Sequence, residues 1–401
     1  LEPGDTGTIN SGGDLTTSVI AIATSASNIT VLNNGAITTS GYNAYGIDSR
    51  SNSGTNTFTN SGTITTSGTT GYGIYLLQNS GTTTATNSGT ITTSGQYGHG
   101  MYSKNQASGG IGTFTNSGTI TTSADSSRGI YSNANSGTIT ILNSGTIMTS
   151  GSSNNYGMQS SANSSTETLT NSGTITTSGA NGYGIISSTN SGTNTILNNG
   201  TITTSGTNAP GMYSSANSGT ETFTNSGNIT ASGQYGHGMY SYNQASGGTS
   251  TFTNSGTITT SEAYGLGIYS STNSGTSTLT NSGTITTSGY SSRGISSNTN
   301  SGTKTILNSG TITTSGQYGY GIYLITNSGT STLTNSGTVT TSGERGYGIY
   351  STTNSGTETI TNSGTITTSE AVGLGIYSST NSGTSTLTNS GTITTSGSSS
   401  R

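Results

Sequence analysis

The chain has 401 residues, only 4% of them charged, and a net charge of −4. So sparse a set of charges leaves no basic patch to hold a phosphate backbone, and no nucleic-acid partner is expected. The absence of cysteine excludes disulfide staples, thiolate metal sites and cysteine nucleophiles, and no apolar run is long enough to span a membrane as a helix.

Residues 1–32 are the irregular part. Thr8-Ile9-Asn10-Ser11-Gly12 reads as a degenerate repeat, and Leu15 to Ala23 is the most apolar run ahead of the array. An end of a repeat stack exposes unpaired backbone and core, so this segment is expected to be a first coil or a cap. The chain opens at Leu1 without a signal peptide and stops at Arg401 inside a repeat, which reads as a piece of something longer.

Residues 33–401 are an array. Its motif is clearest as Asn281-Ser-Gly-Thr-Ile-Thr-Thr-Ser-Gly289, and its first Asn falls at 33, 60, 87, 116, 143, 171, 198, 225, 254, 281, 308, 335, 362 and 389. Ten of the thirteen spacings are 27 residues. A unit this short cannot bury its own apolar face, so each copy is one coil of a solenoid. A Gly/Ser/Thr-rich chain can also be a flexible linker. Here, however, the apolar residues keep phase with the glycines, and Thr with Ile favours strands. The fold class is therefore expected to be all-β: a right-handed parallel β-helix (β-solenoid) of triangular coils, about 27 residues each. Each coil has three short strands, in about thirteen full coils plus a partial one. At about 4.8 Å per coil the stack would be a rod of roughly 60–65 Å.

The copy at Asn254 shows the division. The corner Asn254-Ser-Gly256 leads into Thr257-Ile-Thr-Thr-Ser261, with Ile258 inward and Thr257 and Thr259 outward. The corner Glu262-Ala-Tyr-Gly-Leu-Gly267 leads into Ile268-Tyr-Ser-Ser271, with Ile268 inward and Tyr269 outward. The corner Asn273-Ser-Gly275 leads into Thr276-Ser-Thr-Leu-Thr280, with Leu279 inward. Three apolar columns follow down the chain: Ile37 to Ile393, Ile47 to Ile376 and Phe58 to Leu387. Glycine is expected at each corner to supply positive φ. Gly46, Gly73, Gly100 and their counterparts to Gly375 are expected to make a tight turn into the second strand. The stacked Asn are expected to form amide ladders. Two copies lengthen the third corner, as Lys104-Asn-Gln-Ala-Ser-Gly-Gly110 and Tyr242-Asn-Gln-Ala-Ser-Gly-Gly248. Both read as edge loops.

Few residues suggest chemistry. His99 and His237 share a position that elsewhere holds Tyr, Arg, Pro or Leu, so they are expected on an exposed corner, five coils apart and unable to share a metal. Glu167, Glu221, Glu358 and Lys304 are expected to be solvated charges in one outer column. Polysaccharide-cleaving β-helices need clustered carboxylates or basic groups, and none is visible, so no catalytic residue, metal or cofactor is expected. The candidate binding surface is an outward column of Tyr75, Tyr102, Tyr131, Tyr213, Tyr240, Tyr269, Tyr323, Tyr350 and Tyr377. Such a stripe can stack sugars or another copy, or simply shield the sheet. The ranks of outward Thr are a second candidate surface and resemble the Thr-x-Thr face of ice-binding solenoids, although Thr is also a good exposed strand residue.

The alternation of Asn-Ser-Gly-Thr-Ile-Thr with Tyr-Gly-Ile-Tyr over residues 33–401 resembles the repeats of bacterial type V autotransporter passengers and large surface adhesins. That resemblance implies export and a surface-displayed parallel β-helix. The function expected is an extracellular structural or adhesive rod, a cell-surface stalk or a fibre subunit. Its partners would be other copies of itself, end-to-end or side-by-side, or glycans on host or neighbouring cells. The end at Ser398-Ser-Ser-Arg401 is expected to offer an edge that another copy continues. An ice-binding protein and a polysaccharide-active enzyme are the alternatives.

Overall fold

The alternation of Thr with one apolar residue creates strands with one dry and one wet side. In Thr257–Thr260 the outward Thr257 and Thr259 are half-buried, whereas Ile258 is fully buried. The computed structural model describes residues 2–398. In it, within each of two units, the strands pair in parallel with the equivalent strands of the next coil. The protein is an all-β parallel β-solenoid with three strands per coil and a repeat near 27 residues. The Thr-Ile-Thr-Thr strands form sheet I, the strands around Gly-Ile-Tyr form sheet II, and the Thr-x-Thr-apolar-Thr-Asn strands form sheet III. No helix among the described residues is long and apolar enough to cross a membrane.

The chain divides into two units, Leu1–Thr201 and Ile202–Arg401. In the first, the strands Thr6–Ile9, Asp14–Thr17 and Ile22–Thr24 pair in parallel with Thr30–Asn33, Ala36–Thr39 and Ile47–Arg50. Residues ahead of Asn33 thus make a turn of three strands. In the second unit Leu387 and Ile393, on core columns, are 54% and 37% exposed in this chain. The end at residues 399–401 lies outside the described residues.

Polar ladders run beside the apolar columns. Asn33, Asn60, Asn87, Asn116, Asn143 and Asn171 are buried, and each Nδ2 donates to the Oδ1 of the next Asn at 2.7–2.8 Å. The same ladder runs from Asn225 to Asn389 in the second unit. Each such amide replaces water for its neighbour, which a buried polar group requires. At the third corner the coils are of two kinds. Asn135 and Asn163 in the first unit each donate their backbone N–H to the next coil's Asn Oδ1 at 2.7 Å. From Asn273 onward, Asn273, Asn300, Asn327 and Asn354 form a side-chain ladder instead. The residue just before the Asn explains this. Ser51, Gln78, Ala134 and Ala162 hold positive φ there. Thr272, Thr299, Thr326 and Thr353 are β-branched, resist that conformation, and continue eight-residue strands such as Leu266–Asn273. Thr189 is the exception, at φ 53°.

Two expectations about glycine are corrected. Positive φ at the second corner belongs to non-glycine residues in each coil from Asn43 to Val372, among them Thr70, Tyr97, Tyr264 and Arg345. The corner glycines are required by stacking instead: a Cβ on Gly283 would lie 2.1 Å from the carbonyl oxygen of Gly256 in the coil before. Glycine ahead of the second column is set by the interior, since a Cβ on Gly294 would meet Ile312 Cγ2 at 2.2 Å. Gly and Ile both face inward there, so the flanking residues, as in Tyr320-Gly-Ile-Tyr323, both face outward.

A third correction concerns charge. Glu167, Glu221, Glu358 and Lys304 are buried, not solvated. They occupy the second position of sheet III strands, two residues before an inward Leu, Phe or Ile, and strand alternation puts both on one side. Serines on sheet II receive them. Ser160 donates to Glu167, Ser214 to Glu221, and Ser351 to Glu358 at 2.8 Å. Lys304 donates to Ser270 of sheet II and, at 3.1 Å, to Ser277 of the neighbouring sheet III strand. Burial pushes the Glu167 carboxyl up to about 7 and pulls the Lys304 ammonium down to about 7.

Candidate functional site: the tyrosine face of sheet II

The out-in-in-out pattern of Tyr-Gly-Ile-Tyr places two ring columns side by side on sheet II. In the first unit Tyr75, Tyr102 and Tyr131 stack along the strands, with centroids 5.2 and 4.7 Å apart. Beside them Tyr45, Tyr72 and His99 stack at the corner at 4.9 and 5.0 Å. Rings of the two columns meet edge to face at about 5 Å, the geometry that aligns a positive ring edge with a negative face. Tyr75 and Tyr102 are consequently 7% and 6% exposed, shielded by their neighbours although they point away from the core. Tyr131 is half-buried.

In the second unit Tyr213, Tyr240 and Tyr269 form the strand column, Ser296 interrupts it, and Tyr323, Tyr350 and Tyr377 resume it. All six tyrosines are half-buried except Tyr377, which is 39% exposed. Tyr320 and Tyr347 flank the resumed column, 5.3 Å apart. A further rank lies outermost on the corner, where Tyr235 and Tyr264 stack at 4.9 Å, and Tyr264, Tyr290 and Tyr318 follow edge to face. Burial holds the Tyr102 and Tyr320 phenols above their usual range, up to about 12, so these two rings stay uncharged at neutral pH.

His99 and His237 are also corrected: they are 4% and 8% exposed. Each accepts a backbone N–H on Nδ1, from Arg128 and from Leu266, both at 3.2 Å. Burial, and then the charges of Arg128 and Arg293, lower both imidazoles, His237 to about 3. They are neutral rings with the proton on Nε2, serving as members of the aromatic column. Arginines complete the face. Arg50 pairs with Asp48 at 2.8 Å and lies over Tyr45 and Tyr75. Arg128 lies over Tyr131 and Tyr156, and Arg293 sits 4.2 Å from the Tyr323 centroid. Sequence reasoning overlooked these cation–π contacts, although Arg128 and Arg293 stand in the column that elsewhere holds Tyr. No group of three metal-binding side chains occurs among the described residues.

Such a face can do two things chemically. Flat, uncharged rings spaced near 5 Å offer stacking surfaces, and the guanidiniums between them offer planar donors. Neither the curated proteins nor the solved structures include a match to this chain. A protein-family model does match, three times in overlapping stretches, over residues 4–139, 133–302 and 294–401. The chain, coil upon coil, belongs to the family described as the BigA third pectate lyase-like domain.

Proposed function

We propose that this solenoid is a structural and adhesive module, exported and displayed at the cell surface in the manner of autotransporter passengers and large adhesins. It works without catalysis and binds through the tyrosine face of sheet II. The observation that carries this reading is the in-register rank of partly exposed rings with arginines set among them. Its ionisable interior groups, by contrast, are taken up in hydrogen bonds within the coils. The partners that suit such a face are sugar rings of surface glycans, or the same face of a second copy. The test uses Tyr323→Ser and Tyr350→Ser together, because Ser296 shows that the column tolerates serine. Retention of the purified protein on a glycan array and on cell monolayers should fall at least tenfold, with melting little changed. Undiminished retention would refute the role of the face.

A second reading rests on sheet I, where Thr257 and Thr259 align in register with Thr284 and Thr286 and stay partly exposed. Such ranks suit ice. Thermal hysteresis and ice shaping by the purified protein would support it, and their absence would remove it.

A further inference from the structure

The tyrosine face of the second unit holds a cavity of about 210 Å³. Tyr235 and Tyr264, 41% and 37% exposed, form one wall, and Tyr269 lines it on the strand column. Leu266 and His237 line it between these, with Arg293 from the following coil. The cavity exists because two columns are interrupted: Leu266 replaces a ring at the corner, and Ser296 replaces one on the strand next to Tyr269. Arg293 fills part of that gap. One of its terminal nitrogens donates to Ser296 at 3.3 Å, but its Nε is buried without a hydrogen-bond partner among the described residues. A buried N–H of a cation left unpaired is costly, and an anion reaching it recovers that cost. His237 also lines the cavity and carries its proton on Nε2, since its Nδ1 accepts the Leu266 N–H. No carboxylate lines the cavity.

The first unit contains an internal comparison. Arg128 follows His99 by one coil, as Arg293 follows His237 by two. Its Nε donates to Gln159 at 2.6 Å and one terminal nitrogen to the Ser126 carbonyl at 2.6 Å. That arginine is satisfied within the face, and the one in the second unit is not.

We infer that the cavity bounded by Tyr235, Tyr264, Tyr269 and Arg293 is a subsite for a single sugar ring bearing a carboxylate, stacked on the tyrosines with its carboxylate on the Arg293 guanidinium. This deepens, and rests on, the adhesive reading of the same face. The apolar side of a pyranose matches the tyrosine wall, the volume suits one ring, and a planar guanidinium is the preferred partner of a carboxylate.

The probes are methyl β-glucuronide and methyl β-glucoside, which share the ring and differ in the carboxylate. Binding is read by ligand-observed NMR titration of the full chain at low and high salt. The expected result is that the glucuronide binds at least tenfold more tightly than the glucoside, with the preference shrinking in salt. Arg293→Leu uses a residue that already stands in this column at Leu266 and Leu374, so the coil should fold as before. It should bring the ratio to about one. Tyr264→Asn keeps a residue that tolerates positive φ and should weaken both probes. Equal binding of the two probes to the unaltered protein, or a preference that survives in Arg293→Leu, would overturn the inference. If neither probe binds while the Tyr323/Tyr350 substitutions still abolish retention, this subsite is wrong and the adhesive reading stands.

Discussion

Replacing Asn281 by Asp probes the ladder with a change of one atom. Asn281 Oδ1 accepts from Asn254 at 2.8 Å, and its Nδ2 donates to Asn308 Oδ1 at 2.8 Å and to the Gly283 carbonyl at 3.3 Å. A carboxylate can accept from Asn254 but would face the Asn308 oxygen without a proton, in a site that is 0% exposed. The acid form restores the donor, so the folded protein will hold the proton and the folded pKa will rise above the unfolded value. The sign follows. Below about pH 3.9 both states are protonated and the loss is only the long contact to Gly283, under about 1 kcal/mol. As pH rises the unfolded state ionises and the folded one does not. At pH 7 the loss reaches about 1.36 × (7 − 3.9), or about 4 kcal/mol. Repeat arrays need not unfold in one step, so the readout is local. The amides of Ser309 and Gly310 both donate to the Asn281 carbonyl, and their hydrogen exchange reports opening of this coil. Relative to the unaltered protein, protection should fall at pH 7 and be nearly intact at pH 3.5. Equal loss at both pH values, or none at pH 7, would refute the ladder as the cause.

Other consequences are equally specific. Gly283→Ala sets a methyl 2.1 Å from the Gly256 carbonyl oxygen and should cost about 1–3 kcal/mol or more by forcing coils apart, seen as a lowered first melting step. Thr70→Asn relieves a β-branched residue at φ 59°, as Asn43 already does one coil earlier, and should stabilise by about 1 kcal/mol. Lys304, pulled down to about 7 from 10.5, makes the unaltered protein gain stability as pH rises from 7 toward 10.5. Lys304→Met should abolish that rise and raise stability at pH 6. Glu167, pushed up to about 7 from 4.5, contributes stability that is complete below 4.5 and is lost as pH rises through 7. Glu167→Gln should flatten that fall in a pH series of melts.

Much of the fold was legible because a strand repeats every two residues and a coil every 27 or so. The buried Ile of sheet I, the Asn ladder and the edge loops at 104–110 and 242–248 all follow from those two periods. The same alternation applied strictly places Glu167 inside, since it stands two residues before the buried Leu169, although an isolated Glu is ordinarily solvated. For the corner glycines the deciding quantity is the gap between coils rather than φ, and no single copy of the motif reveals it. On the face, the Tyr columns were legible as positions. The shielding of Tyr75 and Tyr102, and the open Nε of Arg293, depend on which residue stands one coil away. That information lies in the register, not in the motif.

The solenoid depends on the stacking of each residue directly over its counterpart in the next coil. Because the chain has no cysteine, it can be tested by disulfide closure. Thr257 and Thr284 are parallel partners, and Thr311 is the next in line. Adjacent strands lie about 4.8 Å apart, within disulfide reach, and alternate strands about 9.6 Å apart, beyond it. Thr257→Cys with Thr284→Cys should close an intramolecular disulfide under mild oxidation, and Thr257→Cys with Thr311→Cys should not. Failure of the first pair to close, or equal closure of both, would contradict the stacking of the coils.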